Sequence, residues 1–378
     1  MGSFLNVVVY RMPLDLSIAR PGSHCPSCKH PLAWYDNLPI IAWFFLGGKC
    51  RYCKTGFSFR YPFVELLTAC LFVGLYWAYF MGSIRSGLPP FEEGGWIIYL
   101  GHISLIAMLL AASLIDAEHF IIPLSICYFI VVVGLVIAAV AGQIVDVPAE
   151  KFWRVGPYAL ARSGTAGLGA MIGLAVSFCL LKAGLIKRSF YEFEQTVRQA
   201  EKEGREVDTE KLEEQIQIRR EMVREMAFLA PVVLLAWSSM VLLTGEGPLA
   251  QQWGGLLAQQ KWLAGLLGSI FGFMIGAAVV WATRILGSLL FGKEAMGLGD
   301  VHLMAAVGAM LGWQSPTVAF FLAPFFGLGF ALVKLITHRT REIPYGPFLS
   351  MATLAVMVFH DPIMNKLLYL FRGSFGSP

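Results

Sequence analysis

WLAGLLGSIFGFMIGAAVVWATRILGSLLFGKEAMGLGD fills residues 262–300. Its uncharged part, Trp262–Thr283, makes a helix of about 33 Å, enough to cross a hydrocarbon core of about 30 Å. The apolar run ends near Phe291, and Met296-Gly297-Leu298-Gly299-Asp300 follows. A carboxylate at the edge of a membrane segment is costly and needs a reason. Gly297 and Gly299 permit backbone turns closed to other residues, which predicts that Asp300 is presented from a tight loop. A second carboxylate, Asp116, ends another apolar run, Trp96 to Ile115. Two carboxylates on segments that can meet are the raw material of an acid/base pair. Taken alone, Asp116 reads equally well as the N-cap of the next helix, and a lone GxGD is a weak signal.

The rest of the composition fixes the class. The chain of 378 residues is 57% hydrophobic and 14% charged, which excludes an ordinary soluble domain. Uncharged runs recur at Leu66–Ile84, Gly94–Ile115, Phe120–Val145, Ser163–Leu181, Met226–Gly245 and Leu303–Val333, with Ile343–Phe359 closing the series. Gln314-Ser315-Pro316 sits at a natural turn and divides Leu303–Val333 into two short passes. The expected fold is an all-α polytopic membrane protein with about nine to ten membrane helices. Of the 29 Lys and Arg residues, 22 fall in segments 11–60, 182–225, 284–299 and 334–342. The positive-inside rule puts these four segments in the cytoplasm. Counting passes then brings Asp116 and Asp300 to the same, cytoplasmic, face.

Residues 11–60 are polar and carry Cys25-Pro-Ser-Cys28 and Cys50-Arg-Tyr-Cys53. Two CxxC knuckles offer four thiolates to one tetrahedral zinc, a structural site because sulfur fills every position. Two disulfides are the alternative, disfavoured in a reducing compartment. His24 and His30 read as surface residues, His102 as a satisfied interior histidine, and Cys70, Cys127 and Cys179 as small core residues. Glu65, at the start of a membrane helix, is placed to pair with Arg60 or with the cysteine module. Glu118 and His119 are expected to face water or lipid headgroups.

Gly169 and Gly173 form a GxxxG pattern that favours close helix packing. Ala306, Gly308, Ala309 and Gly312 offer another small-residue face. Between the runs, Leu185–Glu225 holds 9 basic and 11 acidic residues and reads as a solvated helix or helical hairpin projecting from the membrane. No phosphate loop, HExxH, GxSxG or dinucleotide fingerprint is present.

Taken together, GSFLNVVVYR at 2–11, CPSC at 25–28, CRYC at 50–53 and YPFVELLTA at 61–69 resemble the type IV prepilin peptidase family. The resemblance continues with ID at 115–116, IP at 122–123, KEAMGLGD at 293–300 and IPYGPFL at 343–349. This family of GxGD aspartic membrane proteases is also called leader peptidase/N-methyltransferase. The resemblance implies a multi-pass enzyme of the bacterial inner membrane, its active site facing the cytoplasm. Its reaction is removal of the short basic leader from type IV prepilins or type II secretion pseudopilins. It further implies that Asp116 and Asp300 are the catalytic aspartates, with Gly297 and Gly299 supporting their loop. Cys25, Cys28, Cys50 and Cys53 would hold zinc. In many members S-adenosylmethionine then methylates the new N-terminus. The partners implied are the prepilin substrate and the lipid bilayer, with no nucleic acid.

The expected organisation follows. Residues 1–10 are a remnant of the first membrane helix, and 11–60 a cytoplasmic zinc-binding module built on the four knuckle cysteines. Residues 61–156 are the helices carrying Asp116, and 157–260 are inserted helices around the charged arm 185–225. Residues 261–378 are the helices carrying Asp300. His302 stands where the family has a lysine, and Leu124 where it has an acidic or amide residue. Two rival readings remain: a proton- or cation-coupled transporter, since intramembrane aspartates mark ion paths, and an assembly factor that has lost catalysis.

Overall fold

Apolar runs of this length leave the backbone one economical way to satisfy its polar groups in lipid, the helix. The computed structural model describes residues 1–82, 84–145, 161–191, 195–196, 217–244, 247–336 and 344–374. Among them no strand forms, apart from two isolated bridges at the cysteine knuckles, His24 with Pro31 and Lys49 with Gly56.

Helix α1 (Gly2–Arg11) leads into the cysteine module, which contains the short α2 (Ile41–Phe45). Then come α3 (Arg60–Tyr76), continued by a π turn to Met81, α4 (Gly95–His119) and α5 (Leu124–Ile144). Next are α6 (Ala161–Lys182), α7 (Ile218–Leu243) and α8 (Pro248–Gln259). The chain continues with α9 (Lys261–Phe291), α10 (Leu298–Leu311), α11 (Gln314–Ile336), α12 (Gly346–Val358) and α13 (His360–Ser374).

Among the described residues seven helices are long and apolar enough to cross a membrane: α3, α4, α5, α6, α7, α9 and α11. An eighth crossing is counted if α12 and α13, bent by 89°, act as one span. With the shorter α1 and α10 this gives the expected all-helical polytopic architecture. The break between α10 and α11 falls at Gly312, which takes φ +81°, beside the predicted turn. At 14 residues, α10 measures about 21 Å, well short of a full crossing.

The core gathers where α4, α10 and α12 meet, around Leu105, Ile115, Leu303, Met304, Leu349 and Val356. There is no hydrophobic drive between helices in lipid, so small residues set how closely backbones approach. A Cβ on Gly308 would stand 2.0 Å from the Gly272 carbonyl oxygen, and Ser269 donates to the Ala309 carbonyl at 2.6 Å. The same logic joins α6 to α7: a Cβ on Gly173 would lie 2.5 Å from the Pro231 carbonyl oxygen. Both small-residue faces therefore pack as their spacing predicts.

Several expectations are corrected. Segment 284–299 is helical as far as Phe291, where α9 ends, and Arg284 within it is buried, only 1% exposed. Cys127 is buried, but Cys70 and Cys179 face outward, because in a bilayer the outer surface is as apolar as the interior. The arm's descent into the membrane begins as helix at Ile218, with Glu221 and Glu225 buried rather than solvated. Residues 192–194 and 197–216 of the arm lie outside the described residues.

Candidate active site

Asp116 lies in the last turn of α4, one residue beyond the fully buried Ile115, and is itself buried. The N-cap alternative is thereby set aside: the helix continues through Asp116 to His119 before Phe120 turns left-handed. Across from it, Tyr345 and Gly346 begin α12, and the Gly346 N–H donates to Asp116 Oδ2 at 2.9 Å. An amide in the first turn of a helix is a natural partner for an anion, with the helix dipole adding to the bond. Glycine leaves room for this bond, since a Cβ at position 346 would meet Asp116 Oδ2 at 2.7 Å and displace the carboxylate.

Asp300 arrives from a third segment. It sits in the first turn of α10, not in a tight loop, and the N-cap Gly297 has ordinary extended angles of φ −71° and ψ 150°. The reason for glycine at 299 is space rather than backbone freedom: a Cβ there would stand 3.2 Å from Ile122 Cβ. The IP segment after α4 thus lies against the GLGD turn. Asp300 lies close enough to Asp116, and Tyr345 to Asp300, for their charges to be felt across the gap. Burial and this neighbouring carboxylate push the Tyr345 phenol up to about 12, so it stays protonated and able to donate. Two carboxylates, one backbone amide and one phenol therefore converge from three chain segments.

Sequence reading named the two aspartates but missed Gly346 and Tyr345 as their partners. Both stand in the quoted IPYGPFL stretch, which reads by itself only as a turn. It also missed Arg284, whose solitary charge near the end of an apolar run was the available signal. His302 lies one turn along from Leu298 and bonds its carbonyl through Nδ1 at 2.6 Å. Glu118 is exposed and paired with Arg60. Buried His102 bonds the Tyr79 hydroxyl at 2.8 Å, the satisfied interior partner expected of it.

The cysteine module is a second centre. Cys25 N–H bonds the His30 carbonyl at 3.0 Å, and Cys50 N–H bonds the Thr55 carbonyl at 2.8 Å, five residues on in each case. Lys29 and Lys54 occupy matching left-handed positions, φ 58° and 60°. The two knuckles are therefore copies of one turn. Their sulfurs stand 3.7 Å apart for Cys25 and Cys53 and 4.0 Å for Cys28 and Cys50, all four within 4.8 Å. A tetrahedron with zinc–sulfur bonds of about 2.3 Å has edges of about 3.8 Å. The donor set fits that ion, and none of the cysteines is in a disulfide. The module is tied to the membrane part by Glu65 of α3, whose Oε2 accepts the Ile40 N–H at 2.7 Å. Asn6 of α1 bonds the Tyr61 carbonyl at 3.1 Å and so ties α1 to α3 on the far side of the module.

Comparison with known proteins adds an independent line. The description "Bacterial Peptidase A24 N-terminal domain" matches residues 1–79, and "Type IV leader peptidase family" matches residues 230–332. The chain is also similar over 98% of its length to the prepilin leader peptidase/N-methyltransferase of Aeromonas hydrophila, at 24% identity and 91% of that relative. The chain is similar to the type IV leader peptidase family in both matched stretches. Over a shorter stretch it is 40% identical to the enzyme of the same name from Myxococcus xanthus, 144 residues covering 38% of each chain. A type 4 prepilin-like proteins leader peptide-processing enzyme of Escherichia coli matches at 38% identity over 32% of this chain and 47% of its own. No solved structure matches significantly. Within this peptidase family frame, Asp300 lies inside the second matched stretch, and Asp116 lies between the two.

Proposed function

We propose that this chain is a member of the leader peptidase family, a membrane aspartic endopeptidase that removes the short basic leader of prepilins or pseudopilins, with Asp116 and Asp300 as its catalytic pair. The observation that carries the reading is the convergence at α12: the Gly346 amide holds Asp116, and Asp300 lies near enough for its charge to act on the adjoining Tyr345. The names of the relatives, which join leader processing to this family, support it.

Two neighbouring carboxylates cannot both ionise easily, so they share one proton. The ionised member takes a proton from water while the protonated member polarises the scissile carbonyl. The Gly346 amide supplies a fixed donor that orients Asp116 without competing for that shared proton. The apolar segment of the substrate would lie beside the spans, with its basic leader on the cytoplasmic side near the cysteine module. Cys25, Cys28, Cys50 and Cys53 would hold a structural zinc, which supplies rigidity and no catalytic water. Methyl transfer carries over less far. The relatives are named N-methyltransferases, but no S-adenosylmethionine fingerprint stands in this sequence, so no step is assigned to that donor. The transporter reading is the weaker one, because both aspartates sit at helix ends and not at mid-span, where transport sites lie.

The test is cleavage in lipid vesicles of a prepilin-type substrate, read by the mass of the released leader. The expected result is one cut at the leader boundary by the native chain and none by Asp300→Asn. Absence of cleavage by folded, zinc-loaded protein would overturn the peptidase reading; undiminished cleavage by Asp300→Asn would overturn the assignment of the pair.

A further inference from the structure

The buried cation in α9 has no part in the chemistry described above, yet its bonds lead to it. Arg284 is 1% exposed, and its Nη1 donates both to Glu294 and to the carbonyl of Met296. Met296 immediately precedes Gly297, the N-cap of the helix that carries Asp300. Nearby, Ser288 of α9 accepts the Ala295 N–H at 3.0 Å. The 292–297 segment is thus pinned to α9 at three points, two of them on one guanidinium.

The other side of that guanidinium belongs to the arm. Glu225 of α7, 3% exposed, accepts from Arg284 Nη2 at 3.2 Å and from Nε at 3.4 Å. Trp281 fixes the same carboxylate, its Nε1 donating to Glu225 Oε2 at 2.6 Å. From the arm's other end, Phe190 presents its ring 5.7 Å from the Arg284 guanidinium carbon, while its N–H bonds Glu221 at 2.7 Å. Both roots of the charged arm therefore close on one arginine, and that arginine holds the approach to Asp300.

We infer that Arg284 is a positioning residue for Asp300, and that Glu225 makes the placement of that aspartate depend on the arm-bearing helix α7. The inference rests on the peptidase reading only for its kinetic consequence. A planar guanidinium reaches two carboxylates and a carbonyl at once; a lysine ammonium in its place keeps the charge and loses the fork. Misplacement of a reacting group by about 1 Å can lower a rate about 100-fold. An isolated buried ion pair, in contrast, is replaceable by apolar side chains with little loss of stability.

The experiment compares Arg284→Lys, Glu225→Gln and the double variant Glu225→Leu/Arg284→Met in lipid vesicles. It measures kcat and KM for leader release, thermal stability, and hydrogen–deuterium exchange of residues 292–297. The inference expects Arg284→Lys to lower kcat about 10- to 100-fold with KM within about two-fold, and to speed exchange across 292–297. Glu225→Gln, which keeps the bond from Trp281, should lower kcat less, by about 3- to 10-fold. The double variant, which also removes the partners of Trp281 Nε1 and the Met296 carbonyl, should stay folded with a lowered melting temperature and be as slow as Arg284→Lys. Native kcat in the double variant would mean that the pair serves stability alone, and would overturn the inference. Unchanged exchange at 292–297 in Arg284→Lys would overturn it as well, whether or not the native chain cuts a prepilin.

Discussion

Cys25 and Cys28 stand three positions apart, and Cys50 and Cys53 repeat the pattern 25 residues later, whereas Asp116 and Asp300 are 184 residues apart. The cysteine centre is assembled from two copies of a local turn, each closed by its own backbone bonds within five residues. The aspartate centre has no local unit at all. It exists only where the end of α4, the start of α10 and the start of α12 meet, and its closest packing depends on glycines at 299 and 346. A locally encoded centre tolerates changes elsewhere in the fold, while one built from three helix ends transmits any shift of those ends straight to the chemistry.

That difference sets the order of expected effects. Of these changes Gly346→Ala should lower the rate most, because the added carbon meets Asp116 Oδ2 at 2.7 Å and must displace either that carboxylate or the start of α12. A shift of that size is expected to lower the rate of leader release about 100-fold while leaving zinc content unchanged. Kinetics and metal analysis on the same preparation check both halves. Cys50→Ser should do the reverse. Zinc, about one per chain in the native protein by the donor set, should fall to near zero, with leader release reduced by only about 10-fold if the membrane helices keep their pair together. Smallest is Glu65→Gln, which keeps an acceptor for the Ile40 N–H but removes its charge. A charge-assisted bond is about twice as strong as a neutral one, so the expected loss is about 1 kcal/mol of module docking, read as faster proteolysis at residues 30–45. Comparable losses of activity in Cys50→Ser and Gly346→Ala would erase the contrast between the two centres.

How much of this the sequence makes legible follows the same division. CxxC spacing states its own geometry, so the cysteine set can be read without a fold. Apolar run length gives most of the spans for the same local reason, and small-residue spacing gives the packing faces of α6 and α10. Asp116 and Asp300 stand out because a carboxylate beside an apolar run needs a reason. Their partners do not: Gly346 looks like any turn glycine, and nothing near Tyr345 in the chain points to Asp300. Arg284 reads only as one of the cations of the cytoplasmic segment 284–299, because nothing near it in the chain announces a buried counter-ion. That counter-ion, Glu225, lies 59 residues away in another helix. Glycine at 299 is likewise present for the nearness of Ile122, a tertiary fact that suggests a loop when read locally.

The central claim is that Asp116 and Asp300 act as one unit, and a mutant cycle tests it most directly. Rates of leader release would be measured in lipid vesicles for Asp116→Asn, Asp300→Asn and the double variant. Groups that act together are grossly non-additive. The account predicts that each single change abolishes cleavage to the limit of detection, about 1,000-fold or more, and that the double variant is no worse than either. Substantial cleavage by either single variant, or losses that multiply in the double, would contradict it.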